Sequence, residues 1–358
     1  MTKKIICICL FCLFTLTGCK DLKDMYNLVF PTAMKIDYQD NQYVLSFQII
    51  NSNALSKPEI ESSFNQGDIL VIETKGESLS QAIQALESKM RMQIILSVVD
   101  SLFITENMLK EEQFNDLIDY FIIDPELRFT VSLFITDQEA KDLFKVKHNI
   151  TSSPYFSLLS YRSENRINVL YLPADFLTVM KNYKNQQTTS LIPNMSISKD
   201  ASLLVEGEYQ EQVQFNIEKI TLLNDHKFIT YPIDEVMGLQ FLSDKQIQNL
   251  ILTFKQDDLQ INYTIESLTK KYYYQNHHYF IDLYPTISFD VNRPNLNPNE
   301  LKEKISENIS QSIKETYLKL LLSGIDFYHY ERMDNPITND NLIVRVYPRI
   351  EAQTNYTN

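Results

Sequence analysis

The cysteines are the residues of this chain whose positions best indicate a specific chemical role. All four lie within the first nineteen of 358 residues, and the last is Cys19. Two lysines and an apolar run over residues 5–16 come first, and the run ends in Leu16-Thr17-Gly18-Cys19. The run is shorter than the roughly 20 residues that span a bilayer, and it is typical of the apolar region of a signal peptide. The pattern is that of a bacterial lipobox, in which the cysteine thiol receives a diacylglyceryl group before cleavage.

We therefore predict that residues 1–18 are a lipoprotein signal peptide and that Cys19 is the lipidation site. The alternative is a plain signal peptide with a cysteine beside it by chance. Cleavage would remove Cys7, Cys9 and Cys12, which leaves no free thiol for a nucleophile or a disulfide. Two or more acyl chains anchor a protein stably, so the mature chain is expected on the outer face of the cell membrane, or in the periplasm of a diderm.

No other residues have the spacing of a catalytic, cofactor or metal site. The sequence contains neither G-x-G-x-x-G nor a P-loop, and its five histidines form no HExxH motif. Carboxylates such as those of Asp124, Glu126, Glu235 and Asp326 are present, but among 46 acidic residues such groupings are expected by chance. Arg128 beside Asp124 and Glu126 indicates a structural salt-bridge corner. We predict no catalytic, cofactor-binding or metal-ligating residues.

The charge of the chain excludes some partners. The formal net charge is −13 at pH 7, and loss of the two lysines of the signal peptide makes it −15. Nucleic-acid binding requires a basic face, so no nucleic-acid partner is expected. The acidic body is not attracted to anionic lipid either, so membrane attachment is expected through the N-terminal lipid. After the signal peptide, no apolar segment reaches 18 residues.

The first part of the mature chain alternates between strand and helix patterns. Period-two alternation predicts a strand pair over 36–50 and a strand over 128–136. A strand is also predicted over 68–74 and a buried strand over 94–105. Apolar residues spaced three and four apart predict helices over 77–90 and 111–123. Asp137 is predicted to cap a short helix that runs through Phe144. This order predicts strands covered by helices.

The polar segment 181–190 is interpreted as the end of this first domain. Strands follow within 203–223, with a helix from Ser243, and then three strands over 251–291. The clearest helix has Asn297 as N-cap, Pro298 and Glu300 in its first turn and Gly324 as its stop, and its apolar stripe is Leu301, Ile305, Ile309, Ile313, Tyr317 and Leu320. A last strand is predicted over 341–351.

We predict an α+β protein of three mixed α/β domains, each with a small, mainly mixed or antiparallel sheet and flanking helices. The predicted boundaries are 19–190 for the N-terminal domain, 191–250 for the middle domain and 251–358 for a C-terminal β-β-β-α-β domain.

Six short motifs follow one another in a characteristic order. After Cys19 and Asp21 come Ile36-Asp37, Ser78–Ile83, Ile104–Asn107, Asp124–Arg128, Glu235–Leu242 and Gly324–Phe327. In order and spacing the chain resembles the C subunit of bacterial spore germinant receptors, the Ger(x)C-type lipoprotein family. It departs from the pattern at Lys20, where the family usually has Trp, and at Val98, where a Ser-His pair is common.

The resemblance implies a fold of three mixed α/β domains and a non-enzymatic subunit. Receptors of this family combine an A subunit, a membrane-spanning B subunit and this peripheral lipoprotein in the spore inner membrane, where nutrients trigger germination. Exposed faces near Asp21 or Asp326 are expected to contact these partners.

Two other classes remain open from the sequence. One is a solute-binding lipoprotein of a membrane transporter, although six glycines fit poorly with the glycine-lined cleft of such proteins. The other is an extracytoplasmic enzyme.

Overall fold

The structure is a computed structural model, and it describes ten stretches of the chain. These are residues 27–50, 69–124, 126–146, 174–185, 188–205, 208–242, 250–256, 259–289, 298–328 and 336–350. The signal sequence, Cys19 and Asp21 lie outside them. So do Asn297 and residues 243–249 of the helix predicted from Ser243, and Leu250 already begins a strand.

The N-terminal part consists of short strands separated by helices, as the alternating pattern predicts. The strand predicted over 94–105 is divided in two by a 3-10 turn at Leu96–Val98. The elements are β1 (Leu28–Val29), β2 (Pro31–Gln39), β3 (Gln42–Ile50), β4 (Ile69–Gly76), α1 (Leu79–Met90), β5 (Gln93–Ile94), β6 (Ser101–Ile104), α2 (Glu111–Ile123), β7 (Ser132–Ile135), α3 (Ala140–Leu143), β8 (Ala174–Asp175) and α4 (Phe176–Asn185).

The rest of the described chain is dominated by long strands and one long helix. A 3-10 turn at Ile233–Val236 comes just before the short helix Leu239–Leu242. The elements are β9 (Ser190–Val205), β10 (Glu208–Asn224), β11 (Lys227–Pro232), α5 (Leu239–Leu242), β12 (Leu250–Gln256), β13 (Leu259–Gln275), β14 (His278–Phe289), α6 (Pro298–Leu322), β15 (Leu342–Val346) and β16 (Arg349–Ile350).

Helices α1 and α2 bury most of the faces that their periodicity predicts, although Met90 at the end of α1 is only half-buried. The Ser78 hydroxyl accepts a hydrogen bond from the Gln81 backbone N–H at 3.2 Å, so Ser78 is the N-cap of α1. In α2 the three-and-four spacing of apolar residues places Ile122 on the same face as Phe114, Leu117, Ile118 and Phe121, but Ile122 is 50% exposed and Tyr120 is buried instead. The predicted residues that are buried are Leu79, Ala82, Ile83, Leu86, Phe114, Leu117, Ile118 and Phe121.

The cap predicted for the third helix is wrong. Helix α3 begins at Ala140, and its N-cap residue Glu139 makes no side-chain capping bond. Asp137 instead accepts a hydrogen bond from Nε2 of the neighbouring Gln138 at 2.8 Å. Because the helix begins three residues after Asp137, the carboxylate is not at the position from which it could cap the first turn.

Nine of the described strands form one sheet, in the order β11-β10-β9-β7-β6-β2-β3-β4 with β8 paired to β7. Strands β2, β6 and β7 are parallel, whereas β3 and β4 continue the sheet antiparallel on one side. On the other side Asn194 of β9 pairs with Ile135 of β7. The sheet therefore continues past residue 190. The domain boundaries stay a prediction.

A second sheet, in the order β12-β13-β14-β15 with β16 paired to β14, contains the C-terminal strands. The three predicted strands form an antiparallel meander, and β15 returns parallel to β14 after α6. Helix α6 covers one face of this sheet. Its stripe is buried as predicted, with Leu301, Ile305, Ile309, Ile313, Tyr317 and Leu320 between 0% and 7% exposed.

The apolar cores follow this arrangement. One core lies on the face of the first sheet that α1, α2 and α4 cover, and a smaller one lies on the opposite face with α3. The third core surrounds α6 and joins Ile220 and Leu222 of β10 to Ile281 and Leu283 of β14. Mixed sheets with flanking helices confirm the α+β fold class.

Two glycines near α6 should respond differently to replacement. A Cβ atom on Gly238 would lie 2.5 Å from the Ser312 carbonyl oxygen and 2.8 Å from Cα of Ile313, so the helix would have to move. Gly324 has open space around it but a φ of +77°. We expect Gly238→Ala to lower the free energy of unfolding by about 1–3 kcal/mol, and Gly324→Ala by about 1 kcal/mol.

Urea unfolding of the mature chain measures both values. Gly324→Asn is the control, because Asn tolerates the left-handed region and should restore much of the loss. A Gly238→Ala protein as stable as the unaltered chain would show that the 235–242 segment does not lie this close to α6.

Candidate functional site

The first cluster of motif residues lies where two parallel strands end. Ile36 of β2 pairs with Ile104 of β6, so Asp37 and Thr105 follow at the same edge of the sheet. Asn107 comes from the 3-10 turn Glu106–Leu109 that continues from β6. Two motifs about seventy residues apart in sequence thus meet in one group, the Asp37 cluster (Asp37, Gln39, Thr105 and Asn107).

Asp37 is 6% exposed, and its carboxylate accepts hydrogen bonds from four donors. The backbone N–H of Tyr38 donates at 2.7 Å, Nε2 of Gln39 at 2.5 Å and Nδ2 of Asn107 at 3.3 Å. The Thr105 hydroxyl is the fourth donor. Burial acts to raise the pKa of Asp37, but these hydrogen bonds, led by that of Thr105, outweigh burial and hold the pKa below its usual value.

The position of the cluster is one at which open α/β sheets often bind ligands. From β2 the chain first adds β3 and β4 on one side, and then returns through α1 to place β6 on the other side. Ligands commonly lie outside the carboxyl ends of strands at such a switch point. Here internal donors from β2 and from the segment after β6 occupy the carboxylate, so Asp37 joins two segments of the chain.

The second cluster attaches the Glu235–Leu242 motif to the long helix. The Gly238 backbone N–H donates to the Thr316 hydroxyl at 3.0 Å. Glu235 forms an ion pair with Lys319, one turn further along α6. At the end of the motif the Leu242 carbonyl oxygen accepts from Nζ of Lys270 at 2.9 Å and from the Tyr328 hydroxyl at 3.1 Å. The motif therefore connects the strands before it to both α6 and the second sheet.

The Gly324–Phe327 motif ends α6. The Gly324 N–H donates to the Leu321 carbonyl and the Ile325 N–H to the Leu320 carbonyl, each at 2.9 Å, which is a Schellman motif with glycine in the left-handed position. Asp326 is 2% exposed and accepts from the Tyr317 hydroxyl at 2.5 Å. Because Asp326 is buried, an exposed face near it can only be formed by its neighbours, and the expected contact there stays a prediction.

The Asp124–Arg128 motif forms a turn rather than a salt-bridge corner. Asp124 accepts from the Tyr120 hydroxyl and from the Glu126 backbone N–H, both at 2.9 Å. Burial, followed by the charge of Asp124, raises the pKa of Tyr120. Arg128 is exposed, and within the described stretches it forms no ion pair with Asp124 or Glu126. The predicted salt bridge is wrong because the carboxylate already binds local donors.

The four carboxylates considered from the sequence do not form one site. Asp124, Glu235 and Asp326 each bind a different set of partners. Across the described part of the chain, no group of three or more His, Cys, Asp or Glu side chains could hold a metal ion.

The outward side of the second sheet carries a cluster that the sequence analysis missed. We call it the outer face, and it consists of Lys271, Tyr273, Phe280, Asp282, Tyr284, Arg345 and Tyr347. Asp282 of β14 lies between Lys271 of β13 and Arg345 of β15 in register, and residues opposite one another project to the same side of a sheet. Their neighbours Ile281 and Leu283 are buried toward α6.

Arg345 is the centre of the outer face. Its Nε and Nη2 atoms donate to the two oxygens of Asp282 at 2.7 Å and 2.8 Å, a bidentate pair. The guanidinium carbon lies 4.6 Å from the centre of the Phe280 ring, which stacks on Tyr273 at 5.0 Å. The hydrogen bond to Asp282 raises the pKa of Arg345. Asp282 itself is 5% exposed. The guanidinium of Arg345 balances the negative charge of this buried carboxylate at hydrogen-bonding distance.

The rings beside Arg345 remain accessible. Tyr284 and Tyr347 stack with ring centres 5.3 Å apart, yet they are 39% and 48% exposed. Lys271 extends toward the Tyr284 ring, with Nζ 5.9 Å from its centre. The signal in the sequence was the placement of aromatic or charged residues two positions apart: Lys271 and Tyr273, then Phe280, Asp282 and Tyr284, then Arg345 and Tyr347. Only strand pairing brings these three groups together.

Comparison with known proteins identifies the N-terminal part of the chain. The family described as "Spore germination protein N-terminal domain" matches residues 21–197. This segment is a spore germination protein N-terminal domain. The resemblance to the germinant receptor C-subunit family is therefore confirmed.

Two relatives from Bacillus subtilis (strain 168) align with part of the chain. Spore germination protein B3 is 25% identical over 135 residues, which are 37% of this chain and 35% of that protein. Spore germination protein KC is 24% identical over 148 residues, which are 40% of this chain and 36% of that protein. The alignments thus span about a third of the length of these curated relatives.

A solved structure titled "Crystal Structure of the GerBC protein" is also similar. It has 13% sequence identity and a TM-score of 0.48, and the match covers 90% of this chain and 97% of that chain. The spore germination domain at 21–197 contains the Asp37 cluster and the Asp124 turn, whereas the Gly238 and Gly324 motifs and the outer face follow it in sequence. In the described stretches no helix has the length and apolar character needed to cross a membrane.

The lowered pKa of Asp37 predicts that the stability of the fold depends on pH. Because the folded-state pKa of Asp37 lies below the ordinary value of 3.8, the ionised carboxylate stabilises the fold above that pH. This contribution disappears as the pH falls through the folded-state pKa. We expect Asp37→Asn to melt at a lower temperature than the unaltered chain at pH 7, and the difference to narrow as the pH falls below about 4.

Melting curves followed by circular dichroism between pH 7 and pH 3 measure the effect. Asp137→Asn is the matched control, since Asp137 is exposed and lies near the same edge of the sheet. A difference between Asp37→Asn and the unaltered chain that stays constant over this range would contradict the assignment of the ionised carboxylate as the stabilising form.

Proposed function

We propose that this chain is the lipid-anchored, non-enzymatic C subunit of a spore germinant receptor, needed for nutrient-triggered germination through assembly with A and B membrane subunits. The observation that carries the proposal is the spore germination domain at residues 21–197. Both curated relatives have names that describe spore germination proteins. The outer face of the spore inner membrane is the proposed location.

The sequence supports the proposed anchor. Cys19 closes a lipobox, and lipid attached there would hold the body at the membrane surface even though its net charge is strongly negative. Asp21, the first residue of the family match, lies two positions after this cysteine.

The geometry of the motifs supports a binding role rather than catalysis. Asp37, Asp124 and Asp326 accept hydrogen bonds from side chains or backbone groups of their own fold. A general base needs a carboxylate within reach of a substrate proton, and these three serve to hold segments of the chain together. The aromatic and arginine side chains of the outer face are instead of the types that are enriched where proteins bind one another.

The anchor can be tested by substitution of the cysteine. We expect Cys19→Ala to prevent lipidation, so that the protein is released from the membrane fraction or remains unprocessed. Membrane fractionation and the intact mass of the protein report the result. Cys12→Ala is the matched control, because that residue lies in the segment removed with the signal peptide. A Cys19→Ala protein that is cleaved at the same site and stays membrane-bound would refute the assignment.

The receptor role can be tested in spores. We expect deletion of the gene to abolish germination with one set of nutrients and to leave the response to other nutrients intact. We also expect the subunit to co-purify with its cognate A and B proteins from detergent-solubilised spore membranes. Normal germination of the deleted spores with every nutrient, and purification without either protein, would instead favour the solute-binding lipoprotein of a transporter.

A further inference from the structure

The outer face is positively charged, whereas the chain as a whole is negatively charged. Lys271, Arg345 and Asp282 lie side by side on it, and Arg349 of β16 extends it because it pairs with Thr286 of β14. Three cations against one buried carboxylate leave this group positive, whereas the whole chain has a formal net charge of −13. The positive group therefore favours an acidic binding partner.

The side chains of the outer face are held in place before any partner arrives. Asp282 fixes the guanidinium of Arg345 through two hydrogen bonds, and the Phe280 ring lies beneath it. The Tyr284 and Tyr347 rings are stacked on one another. Little side-chain entropy is then lost on binding, and aromatic and arginine side chains of this kind dominate interface energetics.

We propose that the outer face binds an extended acidic segment of a partner subunit in the receptor. This inference rests on the proposed function, since it names the surface through which the C subunit would contact an A or B subunit. Acidic side chains of the segment would pair with Lys271 and Arg349, and its apolar side chains would cover the exposed Tyr284 and Tyr347 rings.

The size of the outer face favours a segment over a second copy of this chain. Three strands about 4.8 Å apart, over about five residues each, give a patch of roughly 15 Å by 17 Å, or about 250 Å². A stable interface between globular proteins buries about 800 Å² on each partner. In a two-fold dimer the same patch would also face another copy of itself, which would place the cations Lys271 and Arg345 of both copies in one small interface.

A membrane surface is the less favoured occupant. The body as a whole is acidic, so an anionic lipid surface would repel most of it. The cations of the outer face are also few, since among the described residues only Lys271, Arg345 and Arg349 are placed on it by the strand register.

The test uses the full chain in spores, with affinity purification from detergent-solubilised membranes and quantification of the A and B subunits. The variants are Lys271→Glu, Tyr284→Ala and the combination of the two. Lys89→Glu and Leu70→Ala are the matched controls, because Lys89 and Leu70 are comparably exposed on the first part of the chain. Melting curves check that each variant is folded.

We expect the double variant to reduce recovery of at least one subunit about tenfold or more, while both controls recover it normally. Increasing salt should release that subunit from the unaltered chain, because exposed charge pairs are screened, and Lys271→Glu should weaken this salt dependence.

Several results would overturn the inference. Normal recovery of both subunits by the folded double variant would refute the surface but leave the proposed function intact. Recovery of neither subunit by the unaltered chain would refute both. Binding of the mature chain to vesicles of anionic phospholipid that the double variant loses would assign the face to the membrane, and a dimer seen by light scattering that the double variant loses would assign it to a second copy.

Discussion

The close contact between Gly238 and helix α6 joins the two larger sheets of the described chain, the nine-stranded sheet and the five-stranded sheet. The Gly238 backbone approaches Ser312 and Ile313 so closely that a Cβ atom would not fit, and its N–H is bound by Thr316. Through this contact the chain that leaves β11 is fixed to the helix that covers the second sheet. The core around α6 consequently contains residues of β10 as well as of β14, and packing in one part constrains the other.

Buried carboxylates play a similar part at three other points. Asp37 joins β2 to the segment after β6, Asp326 fastens the end of α6 to Tyr317, and Asp282 holds Arg345 on the outer face. A buried carboxylate is costly unless its oxygens are hydrogen-bonded, so each restricts the chain to the arrangement that supplies the donors. The motifs that identify the family thus coincide largely with residues that hold segments together.

The surface proposed for binding follows from a different constraint. Helix α6 buries one side of the second sheet, and a strand alternates its side chains between the two sides. The remaining side chains of β13, β14 and β15 must then project outward, and here they include the aromatic and basic side chains of the outer face together with Asp282. The same alternation that builds the core therefore determines which residues a partner can reach.

The sequence alone determined much of this protein, because local patterns act over a few residues. Helix α2 was predicted with its observed bounds, the six-residue stripe of α6 is buried as its spacing required, and the motif order identified the family. The mixed α/β character also followed from periodicity. These features depend on the spacing of residues along the chain, which can be read directly from the sequence.

Only the tertiary structure decided which distant segments meet. Nothing near Asp37 indicates that Thr105 and Asn107 will bind it, because the parallel register of β2 and β6 supplies that contact. The exposure of Ile122 and of Arg128 likewise depends on what packs beside them. The outer face exists only once three strands are in register, since its residues are separated by up to 76 positions between Lys271 and Tyr347, and hydrogen bonding between strands places them side by side.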